Sequence, residues 1–380
     1  MTIPAPQARK HRGVRTVSFL NRIDHQRLAF GSNEITGAIG DSITVLPIVV
    51  ALGLVTDVSV PHVLVAFGVF QIIWGIRYGL PVSVEPMKAL AALAIAGTLT
   101  YAELATAGVI LGVVLLVIGL GGVLAAAERW IGTPVVRGVQ FAVGLLLVET
   151  GLHLASDRWV LAGVGALIVV VLICAGSKNV SALAVLTVGI TIAIVTAGLP
   201  APHWPGPPPT PFTTGITWTT ADGVVAQLAM TIGNAALASS LLIADRFGED
   251  VTPDELSTSM GMTNLVAIPV GGIPMCHGCD GIAGKHAFGA RTGGANVVVG
   301  LFYLGIALFT TAPLLRAFPV AMLGVLLVII GASLATSVLR SSNRLLSAGI
   351  GVVAILVGLG VAFAVGILVH LTLERTTAEN

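Results

Sequence analysis

Charge is scarce in this 380-residue chain: Asp, Glu, Lys and Arg make up 10% of it, against 55% apolar residues. A soluble domain carries about 25% charged residues, so a water-facing surface of ordinary composition is excluded. Cysteine is also scarce. Cys174, Cys276 and Cys279 lie in or beside apolar runs and form no disulfide framework. Cys276 and Cys279 make a C-x-x-C, but no second ligand pair of zinc-like spacing accompanies it, so no metal is expected. No G-x-x-x-x-G-K-[ST] sequence occurs, which removes a P-loop ATP site. The opening thirty residues are basic and polar without a short apolar core and cleavage site, so no cleavable signal peptide is expected.

Long apolar runs are what the chain does have. Stretches such as 102–127, 161–175, 180–199, 297–315 and 345–373 approach or exceed the roughly 20 residues a helix needs to cross a bilayer. We read an all-α polytopic membrane protein of about fourteen segments, several too short to span alone. They are 34–56, 61–77, 82–98, 102–124, 134–154, 159–176, 180–199, 223–243, 257–272, 278–290, 295–313 and 318–338, then 344–372 as one kinked or two short helices. Arg9, Lys10, Arg12, Arg15, Arg22 and Arg27 precede the first span and place the N-terminus in the cytoplasm. Arg77, Arg129, Arg137, Lys178, Arg246, Lys285, Arg291, Arg340 and Arg344 then fall at the cytoplasmic edge. The stretch 200–222, rich in proline and without Lys or Arg, is read as an external loop. The expected organisation is a basic cytoplasmic segment 1–33, a first membrane repeat 34–199, the loop 200–222, a second repeat 223–372 and a short tail 373–380. An odd number of segments per half inverts one half relative to the other.

Secondary transporters built from inverted repeats place substrate where short or Gly/Pro-broken helices meet near the midplane. Each half holds such a break at its third segment: Gly79 to Ala89 in the first, Gly271 to Gly278 in the second. Each is an extended Pro-containing stretch before a helix start, which leaves backbone N–H groups suited to an anion. Two such starts facing each other would form an anion pocket.

At these residues the chain resembles the plant-type molybdate transporter family, a branch of the sulfate permease superfamily. The family's G-D-x-G-T-x-x-P-I is matched by Gly40 to Ile48, with Ile43 for the second glycine. P-V-Q-P-M-K-A is resembled by Val84-Glu85-Pro86-Met87-Lys88-Ala89, with Glu85 where glutamine is usual. P-x-C-H-G-A-G-G-L-A is matched by Pro274 to Ala283, with Cys279-Asp280 for Ala-Gly, and R-F-G-A-R-x-G by Ala287 to Gly293, with Ala287 for Arg. Gln227 to Asn234 resembles Q-L-P-L-T-x-x-N. The resemblance implies a 7+7 inverted-repeat fold with a core and a gate domain, transport of a tetrahedral oxyanion, molybdate first and sulfate second, and a plasma-membrane location. It leaves a homodimer possible. The chain's end at Asn380 leaves no room for the soluble C-terminal domain common in sulfate permeases, as expected of the molybdate branch.

The expected substrate site comprises Asp41, Thr44, Glu85, Met87, Lys88, Asn234, Cys276, His277, Gly278, Cys279 and Asp280. Asp41, inside an apolar span, serves either substrate or coupling, or else packs against Lys88 or Thr44. Lys88 either attracts the anion or pairs with Glu85 or Asp41. His277 and Asn234 are either donors to substrate or structural hydrogen-bond formers. Ser83, Thr44 and Thr231 can donate hydroxyls or bond their own helices. Lys285 and Arg291 are read as marking the cytoplasmic end of a helix. Two ionised carboxylates, Glu85 and Asp280, would repel a dianion by several kcal/mol in a low-dielectric site, which suggests that a proton accompanies the substrate. Alternatives are a nucleobase or carboxylate proton symporter of the same fold and an uncoupled anion channel or scaffold. An enzyme is not expected, because the adjacent Cys276 and His277 cannot readily face each other. The bilayer is the expected environment; no nucleic acid or cofactor is expected.

Overall fold

The computed structural model describes residues 28–124, 132–177, 180–209 and 215–378. The basic run Arg9 to Arg27, Arg129, Lys178 and Pro211 lie outside the described residues. We number the elements α1 (Ser32–Val55), α2 (Val60–Tyr78), β1 (Glu85–Pro86), α3 (Lys88–Ile95), α4 (Tyr101–Gly121), α5 (Thr133–Ser156), α6 (Trp159–Cys174) and α7 (Ser181–Ala197). The second half follows with α8 (Trp218–Phe247), α9 (Pro253–Ala267), β2 (Met275–Cys276), α10 (Cys279–Ala287), α11 (Gly294–Phe309), α12 (Val320–Ala335), α13 (Arg344–Val357) and α14 (Leu359–Ala378). Six helices among the described residues are long and apolar enough to cross a bilayer unaided: α1, α2, α4, α5, α8 and the run through α12. The C-terminal apolar run is two helices, because Gly358 takes φ 102°, a conformation open to glycine and costly for other residues.

The inverted repeat is written in the packing. Adding seven to an element's number gives its mate, and contacts map onto contacts: α2 packs on α11 as α9 packs on α4, and α1 on α10 as α8 on α3. The elements on the pseudo-axis meet their own mates, α5 with α12 and β1 with β2. Glycine makes the α5–α12 contact possible. A Cβ at Gly144 or Gly151 would collide with the α12 backbone, and one at Gly331 or Gly324 with the α5 side, so the helices approach to backbone contact as small residues allow in membranes.

The third segment of each half is broken as its proline pattern predicts. Gly79 ends α2 with a φ of 63°, the chain then runs without helix through the short strand β1 to Met87, and α3 has only eight residues. The second break ends in α10, of nine residues. The two extended stretches run antiparallel, with Glu85 opposite Cys276 and Pro86 opposite Met275, and Met87 N–H donates to Pro274 O at 2.9 Å. Asn264 of α9 clamps the second strand, accepting from Met275 N–H at 2.7 Å and donating to Met275 O at 2.8 Å. Several of the backbone groups freed by the breaks are thereby satisfied away from water, as a membrane interior requires.

Candidate functional site

Five ionisable side chains gather where the broken segments cross. Asp41 of α1, fully buried, accepts from Gln71 of α2 and from Ser83 of the first break. Its cationic partner is Lys285 of α10, 3.3 Å away. Lys285 has no exposed surface and also donates to Gln71 Oε1 at 2.9 Å and Asn296 Oδ1 at 2.7 Å. This corrects two expectations. Lys285 does not mark a cytoplasmic helix end, and the Asp41 carboxylate pairs with neither Lys88 nor Thr44. The reason is geometric: α10 has only nine residues and starts within the bundle, so position 285 is still deep in it.

Lys88 opens α3, an unfavourable place for a cation because the helix dipole is positive there. It is held by two carboxylates instead, Glu85 Oε2 at 2.9 Å and Asp280 Oδ2 at 3.1 Å. Glu85 is buried, whereas the Asp280 side chain is 53% exposed. The Glu85 carboxyl also fills the start of α10: a Cβ at Gly278 or Gly281 would overlap it, and one at Gly281 would also meet Ser83 and Asp41. Both positions therefore need glycine for space. Glu85 Oε2 is buried with no hydrogen-bond partner among the described residues, beyond its charge contact with Lys88.

The other expected site residues divide. Met87 is the buried N-cap position of α3, and Cys276 is buried in β2. Gly278 and the half-buried Cys279 start α10. Thr44 donates to the backbone of Asp41 at 3.3 Å. His277 is locked: its Nε2 meets Ser259 Oγ at 2.7 Å, its Nδ1 meets Ser83 O at 2.8 Å, and Trp74 and Tyr78 pack edge-on against it. Both ring nitrogens are spent on protein, so it positions Ser83 and the break. Asn234 lies apart, in a π-helical stretch of α8, Thr231–Ala238, which neither proline nor glycine composition announced.

Sequence reasoning missed Gln71, Gln227 and Asn296 as members of the network. Gln227 Oε1 accepts from the N–H groups of Ala89 at 2.9 Å and Leu90 at 3.4 Å and so caps α3, while its amide donates to Thr231 at 3.0 Å. The available signal was the same for all three: an uncharged amide in an apolar segment, buried here and fully used.

Two broken helices crossing at the centre of an inverted-repeat bundle, with buried charge around their starts, define a membrane transporter of the 7+7 class. The fold is shared with the transmembrane domain of the cyanobacterial bicarbonate transporter BicA, at a TM-score of 0.61 and 16% identity over 89% of this chain and 95% of that one. It is shared too with the murine anion transporter Solute Carrier 26 family member A9 in its inward-facing state, at a TM-score of 0.66 and 14% identity over 91% of this chain and 68% of that one. Residues 33–147 and 219–334 match the family model described as "Molybdate transporter of MFS superfamily", and the chain belongs to that family. It is 27% identical to Molybdate transporter 2 of Arabidopsis thaliana over 92% of this chain and 88% of the relative, and 30% identical to Molybdate transporter 1 of the same plant over 88% and 85%. These relatives are transporters, not enzymes. The major-facilitator label in the family description does not describe the architecture, since that fold nests 3+3 repeats in six-helix halves.

Proposed function

We propose that this protein is a secondary active transporter that imports a tetrahedral oxyanion, molybdate first and sulfate second, with a proton. The observation that carries the reading is the Glu85 carboxyl lodged at the start of α10, against Lys88. That is where a bound anion would meet helix-start N–H groups and an ammonium together. Asp41, Glu85 and Asp280 set three carboxylates against the two ammonium groups of Lys88 and Lys285. Fully ionised, the cluster is negative before any dianion arrives, and the repulsion amounts to several kcal/mol at low dielectric. One proton on Glu85 neutralises the cluster and turns an acceptor-only carboxylate into a donor. Proton and oxyanion then favour each other's entry, which is symport.

In this reading the substrate touches Glu85, Lys88, Gly278, Cys279 and Asp280, and Met87 and Cys276 shape the floor. Asp41, Thr44 and His277 hold Ser83 and the breaks in place, and Asn234 approaches from α8. Transport moves the core that carries α1, α3, α8 and α10 against the gate that carries α5 and α12. The repeats 34–199 and 223–372, the external loop 200–222, the cytoplasmic N-terminus and the plasma-membrane location complete the proposal. Homology to molybdate transporters favours this substrate over a nucleobase or carboxylate.

Calorimetric binding of molybdate, tungstate, sulfate and uracil to the purified protein tests the substrate, and the expected order places molybdate first. Binding of uracil alone overturns the oxyanion reading. Proteoliposome uptake should accelerate when the outside is acidified. Indifference to an imposed pH gradient in both wild type and Glu85→Gln removes the coupling.

A further inference from the structure

A cavity of about 220 Å³ separates α5 from the π-helical part of α8, apart from the Glu85–Lys88 cluster, and Val136, Arg137, Gln140, Asn234, Leu237 and Leu241 line it. Its polar groups come from both moving parts. Arg137 and Gln140 stand on α5, and Asn234 stands on α8. The Arg137 guanidinium gives one N–H to Gln140 Oε1 at 2.9 Å. Its Nε is buried with no hydrogen-bond partner among the described residues. The Asn234 side chain likewise has no hydrogen bond among the described residues; only its backbone carbonyl accepts, from Ser239 at 3.2 Å. Ser337 bonds to the Arg137 carbonyl at 3.4 Å, which brings the short helix ending in Arg340 to the same end of the bundle. The half-exposed Asp280, at the start of α10, lies within electrostatic range of both arginines.

A buried guanidinium nitrogen without an acceptor is costly, and no contact among the described residues explains why α5 carries one. A planar guanidinium beside a primary amide supplies several donors, and no carboxylate lines the cavity among the described residues, which suits an oxygen-rich anion. We propose that Arg137, Gln140 and Asn234 form a second oxyanion-binding station, between the Glu85–Lys88 cluster and the membrane face at the N-terminal end of α5. The station rests on the oxyanion reading above. Because α5 moves relative to α8 in that reading, the anion would bridge the two parts in one conformation and be released from one of them in the other.

The test is sided molybdate flux in proteoliposomes of known orientation, together with equilibrium molybdate binding to the purified protein. Arg137→Gln should raise KM about tenfold for flux from the face at the α5 N-terminus, the loss of roughly one charge-assisted hydrogen bond. KM from the opposite face and the calorimetric Kd should change by less than about twofold. Arg137→Lys should recover part of the loss, since it keeps the charge without the planar fork. Gln140→Ala should show the same sidedness more weakly, since it removes the acceptor that orients the guanidinium, and it carries the test if Arg137→Gln does not fold. An unchanged KM on both faces, or an equal change on both faces, overturns the station while leaving the main site standing. A wild-type protein that neither binds nor moves molybdate, tungstate or sulfate overturns the oxyanion reading itself, and the station with it.

Discussion

The two half-helix starts occupy equivalent places in the repeats and are finished by opposite chemistry. At α3 the first N–H groups are closed by protein: Met87 donates to the other strand, and Ala89 and Leu90 donate to the neutral Gln227. At α10 a carboxyl that can take or lose a proton, Glu85, lies against the glycines of the first turn. A neutral amide cap is fixed at every pH. A carboxyl can be discharged, so pseudo-symmetry has left one end with a fixed charge and one end whose charge can change.

The largest effect should come from removing the scaffold that holds both ends in register. Lys285→Met or Asp41→Asn leaves one charge buried without its partner and should destabilise the protein by about 3–5 kcal/mol, read as lost thermal stability in detergent and poor yield. The double variant should be less damaged than the sum of the two, the mark of a coupled pair. If either single change is silent, the pair does not hold the crossing together.

At the static end, Gln227→Leu strands two N–H groups of α3 and should cost about 1–3 kcal/mol in unfolding free energy, without altering how affinity varies with pH. A change in that pH response would break the assignment of α3 as structural.

At the other end, Glu85→Gln should keep molybdate binding and lose its pH dependence. The sign follows from the charge: protonation removes a repelling carboxylate, so wild-type affinity should rise as pH falls, by up to about tenfold per pH unit for one linked proton. A glutamine should bind at neutral pH as wild type does in acid. A variant that still follows pH would move the proton to Asp280 or Asp41.

The smallest effect belongs to Asp280→Asn. Its carboxylate is half exposed, so the loss in stability should stay within about 1 kcal/mol. Molybdate affinity should rise modestly as one repelling charge disappears, measured by calorimetry against wild type.

Much of the bundle was legible in the chain because its causes are local. Apolar length marks a span in any context, and Pro81, Pro86 and Pro274 forbid a regular helix wherever they sit, so the two breaks and their equivalence followed from the sequence. Glu85 and Asp280 drew attention as carboxylates where an anion belongs. Partner choice was not local. Asp41 had Lys88 nearer in sequence and found Lys285, because α10 is short enough to keep that lysine at the depth of Asp41. His277 looked like a donor until both its nitrogens proved to be taken by Ser259 and Ser83. Hydropathy and backbone chemistry act within a few residues, and the sequence by itself determined what depends on them: the solvent, the segments and the breaks. Buried charges choose partners by distance and desolvation across the whole fold, so the tertiary structure alone decided which carboxyl lies against the helix start and which cation holds the crossing together.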